Sequence, residues 1–382
     1  MTGTPGRAAR RLRAGRRAPE ADTATPRAAP TDAGAHAALP PVRGDAGLNA
    51  GCGTAFSTAR EGDVLLVLGS PWHSADYAQA VAAAKKDNGL RFAVLIYDMI
   101  PFRRPEWCDG GLTEVFIRWM RTVLPLADLI LTISKSTADD VRSYLRGLGL
   151  EAPEPLPIPV GTGFSLEPAG PAADKPRQMP EPGTYALIVS TIEVRKNHAL
   201  LLRVWRRLLS EMPRDAVPPL VFAGRVGWLV GDFMQQLRNS RFLDGKIILF
   251  EDPTDRELAM LYAGCQFTLF PSFYEGWGLP VTESLAYGRP CIISNTTSMP
   301  EAGGRLASYF DPEDGQQAYQ VIRDAIEHPA RVAEWRERII REFRPVPWQT
   351  PAEAVIGALD RFCRQDSREA SARQARAAAT PR

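Results

Sequence analysis

Residues 270–290 read FPSFYEGWGLPVTESLAYGRP. The apolar run LYAGCQFTLF just before Pro271 reads as a helix end feeding a buried strand. Pro280 suits the first turn of a helix and Gly288 suits its end, so VTESLAY is predicted as a short helix between them. The order is therefore strand, glycine-flanked loop, helix. In open parallel sheets ligands bind at that junction, and the helix N-terminus offers free N–H groups to an anion. The loop carries one carboxylate, Glu275, and the helix a second, Glu283.

Working outward, apolar runs alternate with helical stretches along most of the chain. DVLLVLG (63–69), RFAVLIYD (91–98) and ADLILTIS (127–134) read as strands of a first domain, residues 60–160. TYALIVST (184–191), PLVFAGR (219–225), KIILFED (246–252), QFTLFPS (266–272) and RPCIISN (289–295) read as strands of a second, residues 175–345. Each is nearly continuously apolar, as parallel strands covered on both faces must be. The pattern implies an α/β chain of two doubly wound, Rossmann-like domains facing a cleft. The proline-rich APEPLPIPVGTGF between them reads as a linker. The stretch from Trp348 to Cys363 reads as an amphipathic C-terminal helix, residues 346–365, and residues 366–382 as a polar tail. Only about three strands fit in the first domain, which is expected to be short.

Composition excludes several classes. The 382 residues, 45% of them hydrophobic, suffice for two cores, and a net charge of +2 makes no case for nucleic-acid binding. No apolar run reaches the roughly 18 residues a membrane span needs. Residues 1–46 hold no aromatic residue and no Ile, with six arginines in the first seventeen positions, and read as a disordered basic leader able to touch anionic lipid headgroups. The five cysteines show no metal-ligand spacing; Cys265 and Cys291 lie in apolar runs and are expected as core thiols of a reduced, cytoplasmic protein. Gly51-Cys52-Gly53 fails as a dinucleotide fingerprint at Phe56.

The chemistry gathers on a second loop. STIEVRKNH (190–198) follows a strand and sets Arg195 beside Lys196, and two adjacent cations can neutralise a diphosphate, one as a fork and one as a point charge. This loop is expected to face solvent, and His198 to sit at a helix start as a capping or surface residue. Carboxylates near phosphates repel them unless they accept hydrogen bonds from hydroxyls. A nucleotide-sugar carries phosphates and hydroxyls together.

EGWGLPVTE resembles the E-x7-E signature of family-four retaining glycosyltransferases, which have the two-domain GT-B fold. IEVRKN, SMPEAGG (298–304) and DPTDRELAMLY (252–262) agree with it, strongly over residues 184–330; YDMIPFRRPEW and ISKSTADDV agree more weakly. The resemblance implies that Glu275 holds the transferred sugar near its reactive face, that Glu283 hydrogen-bonds the ribose, and that Lys196 with Arg195 meets the diphosphate. It further implies that Gly276, Trp277, Gly278 and Leu279 approach the sugar and phosphates, that Arg225 is a second phosphate contact, and that Tyr97 and Asp98 lie near the donor sugar. Tyr97 stands where many members have His, and Thr191 where many have Arg. The implied reaction moves a hexose from a nucleotide-sugar, GDP-mannose first among candidates, to a saccharide or lipid-linked saccharide, with no metal and no further cofactor. The implied place is the cytoplasm or the inner membrane surface. Two other readings remain: a catalytically inactive nucleotide-sugar-binding subunit of a polysaccharide-assembly complex, and a glycoside hydrolase using Glu275 and Glu283 as acid and base.

Overall fold

Short apolar runs form ten strands among the described residues, and all the strand pairings are parallel. The structure is a computed structural model and describes residues 59–163 and 179–378, with side chains through residue 364. The basic leader, the Gly51-Cys52-Gly53 segment and the end of the polar tail lie outside the described residues.

The first sheet has the order β1 (Val64–Val67), β2 (Arg91–Ile96), β3 (Leu129–Thr132), β4 (Leu156–Pro157). Four strands are present rather than three. The fourth comes from the proline-rich stretch read as a linker: Leu156 pairs with Leu131. Pro157 is tolerated because an edge strand has one side free of ladder hydrogen bonds. Helices α1 (Tyr77–Asn88), α2 (Gly110–Val123) and α3 (Lys135–Gly147) cover one face, where Phe92, Val94 and Ile96 meet Phe116, Trp119 and Val141.

The second sheet has the order β10 (Ser308–Phe310), β9 (Cys291–Ser294), β8 (Phe267–Phe270), β5 (Ala186–Val189), β6 (Leu220–Ala223), β7 (Ile247–Phe250). Ala186 of β5 pairs with Leu220 on one side and Phe267 on the other. The strand order thus reverses between β5 and β8, which is where open α/β sheets form a ligand crevice beyond the carboxyl ends of their strands. The helices are α4 (His198–Glu211), α5 (Gly231–Asn239), α6 (Asp255–Gly264), α7 (Leu279–Ala286), the short α8 (Met299–Gly303), α9 (Gly315–Glu327) and α10 (Pro329–Glu342). Thr254 and Glu257 close a capping box at the start of α6, which fixes where that helix begins. Cys265 and Cys291 are fully buried.

The last helix, α11 (Gln349–Ala378), continues past the predicted end at Cys363. Its Val355 and Ala358 pack on Leu95, Leu131 and Ile158, so a C-terminal element covers the second face of the first sheet. Trp348, just before it, donates from Nε1 to the carbonyl of Gly163 at 2.6 Å.

His198 corrects an expectation. It is 2% exposed, edge-on to Phe222, with Nε2 3.3 Å from Ser190 Oγ and Nδ1 without a partner among the described residues. A helix start next to a strand end faces the sheet here, not solvent. Burial, with Lys196 nearby, lowers its pKa from 6.5 to about 3. The unfolded chain binds a proton below about 6.5 that the folded one refuses, so this contribution to stability is complete above 6.5 and is lost as pH falls towards 3. Between pH 7.5 and 5.5 that amounts to about 1.4 kcal/mol. His198→Leu should lose that much of the parent's acid sensitivity in paired denaturant melts; identical pH slopes in the two proteins would sink the assignment.

Candidate functional site

The loops after β5 and β8 emerge side by side at the reversal point. Residues Val194–Lys196 form a single 3-10 turn that ends at Asn197, held at φ +56° by a hydrogen bond from its Nδ2 to the carbonyl of Pro312. The turn brings Arg195 and Lys196 under the β8 loop, where Phe273 N donates to the carbonyl of Arg195.

Glu275 is the centre of the cluster. Its Oε1 accepts from Lys196 Nζ at 2.6 Å and its Oε2 from Arg195 Nη1 at 2.7 Å. Arg195 also donates to the Tyr274 carbonyl at 2.7 Å and to Glu193 Oε1 at 2.6 Å. The side chains of Glu275, Lys196 and Arg195 are 12%, 14% and 16% exposed, so the two cations of the loop read as solvent-facing are nearly buried. Burial alone would raise the Glu275 carboxyl, but Lys196 and Arg195 overcome it and hold the pKa at about 2. Burial acts against the Arg195 cation too, and Glu275 and Glu193 outweigh it, so its pKa is raised.

The SMPEAGG segment braces this loop. Ser298 Oγ donates to the carbonyls of Glu275 and Trp277 at 2.9 and 2.8 Å, and Thr297 Oγ1 accepts from Glu275 N. Glu301 reaches across the cleft and accepts from Lys135 N and Ser136 N, each at 2.9 Å, at the start of α3. A carboxylate there satisfies orphan N–H groups and meets the positive end of the helix. Gly276 is pressed so close to the first lobe that a Cβ would lie 2.5 Å from the Tyr97 carbonyl. Gly278, at φ +121°, turns the chain into α7 through a conformation that side-chain-bearing residues rarely adopt.

A cavity of about 380 Å³ opens between the lobes beside this cluster. Among the expected residues, Lys196, Glu275, Gly276, Trp277, Gly278, Leu279, Tyr97 and Asp98 line it. Tyr97 donates to the Leu68 carbonyl at 2.7 Å, and Asp98 Oδ1 accepts from Ile100 N at 2.9 Å. Burial raises the Asp98 pKa against the pull of that N–H. Arg225 does not join them. Its side chain is 78% exposed at the end of β6 and pairs with Asp252 at 2.8 Å. Thr191 is exposed.

Glu283 stands apart on α7. Its Oε2 accepts from Tyr262 Oη at 2.8 Å, and its Cγ lies under Gly163, where a Cβ would approach to 2.5 Å. Burial raises its pKa, partly offset by the Tyr262 hydroxyl. Tyr262, fully buried, was missed as a site residue although it ends the quoted DPTDRELAMLY; only the packing of α6 against α7 shows that it reaches Glu283. Tyr262→Phe should cost about 1–2 kcal/mol of stability. It should also raise the KM for any ligand bound by ionised Glu283, more steeply as pH falls, with kcat little changed. A ligand KM equal to the parent's across the acid range would separate Glu283 from that ligand.

Residues 171–342 match the family model of glycosyl transferases group 1. The chain is 30% identical over 234 residues to the serotype-specific mannosyltransferase WbdA of Escherichia coli, covering 57% of this chain and 28% of WbdA. It therefore spans less than a third of those relatives. It is 28% identical over 276 residues to the O-antigen chain mannosyltransferase B of Escherichia coli, covering 70% of each. Among solved structures, HepE of Anabaena in complex with UDP-glucose superposes with a TM-score of 0.56 at 14% identity, over 84% of this chain and 81% of that one. At that identity the likeness speaks for the fold. The chain has the GT-B fold, and residues 171–342, most of its second lobe, are similar to glycosyl transferases group 1.

Proposed function

We propose that this chain is a retaining glycosyltransferase of the E-x7-E type. It would move a hexose from a nucleotide-diphosphate sugar to a hydroxyl of a saccharide or lipid-linked saccharide. The observation that carries the reading is the Arg195–Glu275–Lys196 cluster, placed at the reversal point of a sheet, inside the span that matches the group 1 model. The names of the two Escherichia coli relatives favour mannose, and GDP-mannose is the first donor to try.

In the proposed step the bond from sugar C1 to the diphosphate oxygen breaks. That oxygen takes the proton of the acceptor hydroxyl, and the acceptor oxygen bonds to C1 on the same face. Negative charge gathers on the leaving diphosphate, where two preorganised cations lower the barrier. They supply the positive charge a divalent ion would otherwise bring, so no metal enters the proposal. Glu275, ionised at neutral pH, would hold the sugar's hydroxyls and face the positive charge developing at C1. The glycoside hydrolase reading fares poorly on this geometry: Glu275 has no proton to donate, and Glu283 lies against Tyr262 and Gly163, outside the cavity that Glu275 lines.

We place the reaction in the reducing cytoplasm, where buried thiols such as Cys265 and Cys291 stay reduced. No described helix is long and apolar enough to cross a membrane. A thermal-shift screen of GDP, UDP, dTDP and ADP tests the donor site. A nucleotide at 100 times its Kd should stabilise the protein by about 2.7 kcal/mol. If all four leave the melting temperature unmoved, the donor reading fails.

A further inference from the structure

Asp140 stands on the buried face of α3, in step with Thr137, Val141 and Tyr144, where an apolar residue would cost less. Its side chain is 7% exposed, whereas Asp139 beside it is exposed and pairs with Arg142. One Asp140 oxygen faces Arg103 Nε at 2.9 Å, at the end of the turn Ile100–Arg103 in the same lobe. The other accepts from the hydroxyl of Tyr274, which belongs to the second lobe and directly precedes Glu275. A buried carboxylate needs such partners, and one of these two lies across the cleft. From Tyr274 the contacts lead into the Arg195–Glu275 cluster. Its carbonyl accepts from Arg195 Nη1 at 2.7 Å, and Phe273 N donates to the Arg195 carbonyl at 3.0 Å. Phe273 is also tied to the first lobe, its ring stacked on Trp107 with centroids 5.3 Å apart. The Phe273–Tyr274 dipeptide thus has its side chains on the first lobe and its backbone on Arg195.

We propose that Asp140 is a positioning residue for the transfer: through the Tyr274 hydroxyl it sets, from the opposite lobe, where Glu275 and Arg195 meet the donor. The inference rests on the transfer reading and adds a residue outside the E-x7-E segment that governs its geometry. Asp140 does not line the cavity beside Glu275, so it acts at one remove. The loop needs an outside anchor. Glu275 is followed by Gly276 and Gly278, which leave the backbone more freedom than other residues would. Ser298 and Thr297 hold that backbone from the second lobe, and Tyr274 holds it to the first. A hydroxyl donating to a carboxylate is a charge-assisted, directional bond and so fixes a position well. Joining the lobes does not by itself require it, because Glu301 already ties them at the start of α3. What the Asp140–Tyr274 bond adds is a fixed place for the residue before Glu275, which is also the residue whose carbonyl orients the Arg195 guanidinium.

Steady-state kinetics on the full chain, with a donor that the parent turns over, and paired melts test it. Tyr274→Phe keeps the ring and removes the hydroxyl; Asp140→Leu keeps much of the volume and removes the acceptor. Each should lower kcat about tenfold to a hundredfold, the scale on which misplaced catalytic groups lose rate. The Kd for GDP or UDP should move less than about threefold, because both cations keep their charge and lose only their placement for the transition state. The double variant should lose no more than the larger single, since both substitutions cut one path. Asp140→Asn, which keeps an oxygen for the Tyr274 hydroxyl, should recover most of the loss. A merely structural role would lower the melting temperature of Asp140→Leu and leave kcat per folded molecule at the parent's value in both singles, and that result overturns the proposal. Losses that multiply in the double variant overturn it too, because the two residues then act separately. Should Asp140→Leu fail to fold, Tyr274→Phe decides alone: a parent-like kcat overturns the role of Asp140. A parent that turns over no donor and binds no nucleotide removes the transfer reading and this role with it, whereas an active parent with equally active variants removes only the role.

Discussion

Lys196→Ala is expected to lower kcat by on the order of 10²–10³ and to cost the fold about 3 kcal/mol as well. The two effects come from two different partners of the same ammonium. In the free protein Lys196 Nζ sits 2.6 Å from Glu275 Oε1, with both side chains nearly buried. Removing it leaves a buried carboxylate one cation short, and breaking such pairs costs about 3–5 kcal/mol. Arg195 stays on the other oxygen at 2.7 Å, which places the loss at the low end of that range. During transfer, the proposed partner is the leaving diphosphate, whose charge grows as the glycosidic bond breaks. An interaction that strengthens towards the transition state appears in kcat rather than in donor KM. Chemical melts and steady-state kinetics on the same preparation separate the two. A variant as stable as the parent, with unchanged kcat on a donor the parent uses, would leave Lys196 with neither role.

The sequence alone leads one to expect a solvent-facing loop here, and so a variant with near-parent stability. The difference lies in strand order. Arg195–Lys196 and Glu275 are about eighty positions apart, and nothing local says that β5 and β8 are neighbours. Once Ala186 pairs with Phe267, the two loops must share one space, and the opposite charges find each other. What was legible was local chemistry: the apolar run into β8, and Pro280 and Gly288 bounding α7. Tertiary pairings were hidden. His198 was misread because a helix-start histidine has no sequence mark saying whether its turn faces the sheet. Leu156–Pro157 was read as linker because proline content masks a two-residue edge strand. Tyr262 and Glu301 went unassigned since each acts on a residue far along the chain, Glu283 at 2.8 Å and the start of α3 at 2.9 Å.

Glu275→Gln should produce the other large effect, and its signs are opposite for stability and for nucleotide binding. The substitution keeps the shape and removes the charge that Arg195 and Lys196 share. Arg195 retains Glu193 at 2.6 Å, while Lys196 loses the only ion-pair partner found for it among the described residues. Two cations then lie together in a nearly buried site, and the free protein should lose about 3–5 kcal/mol. The acid limb of stability should change with it. In the parent the Glu275 carboxyl titrates at about 2 rather than 4.5, so its contribution is complete above 4.5 and disappears as pH falls towards 2. At roughly 1.4 kcal/mol per pH unit that contribution is about 3 kcal/mol, and the variant should lack this part of the acid transition. A nucleoside diphosphate supplies the missing negative charge. In the parent it must compete with Glu275 for the same cations; in the variant it has no competitor. The melting temperature of Glu275→Gln should therefore rise more on adding GDP or UDP than the parent's does at equal concentration, even as sugar transfer is lost. A smaller nucleotide-induced rise in the variant than in the parent would mean that the diphosphate does not bind where Glu275 now sits, and the cations of this loop would need another ligand.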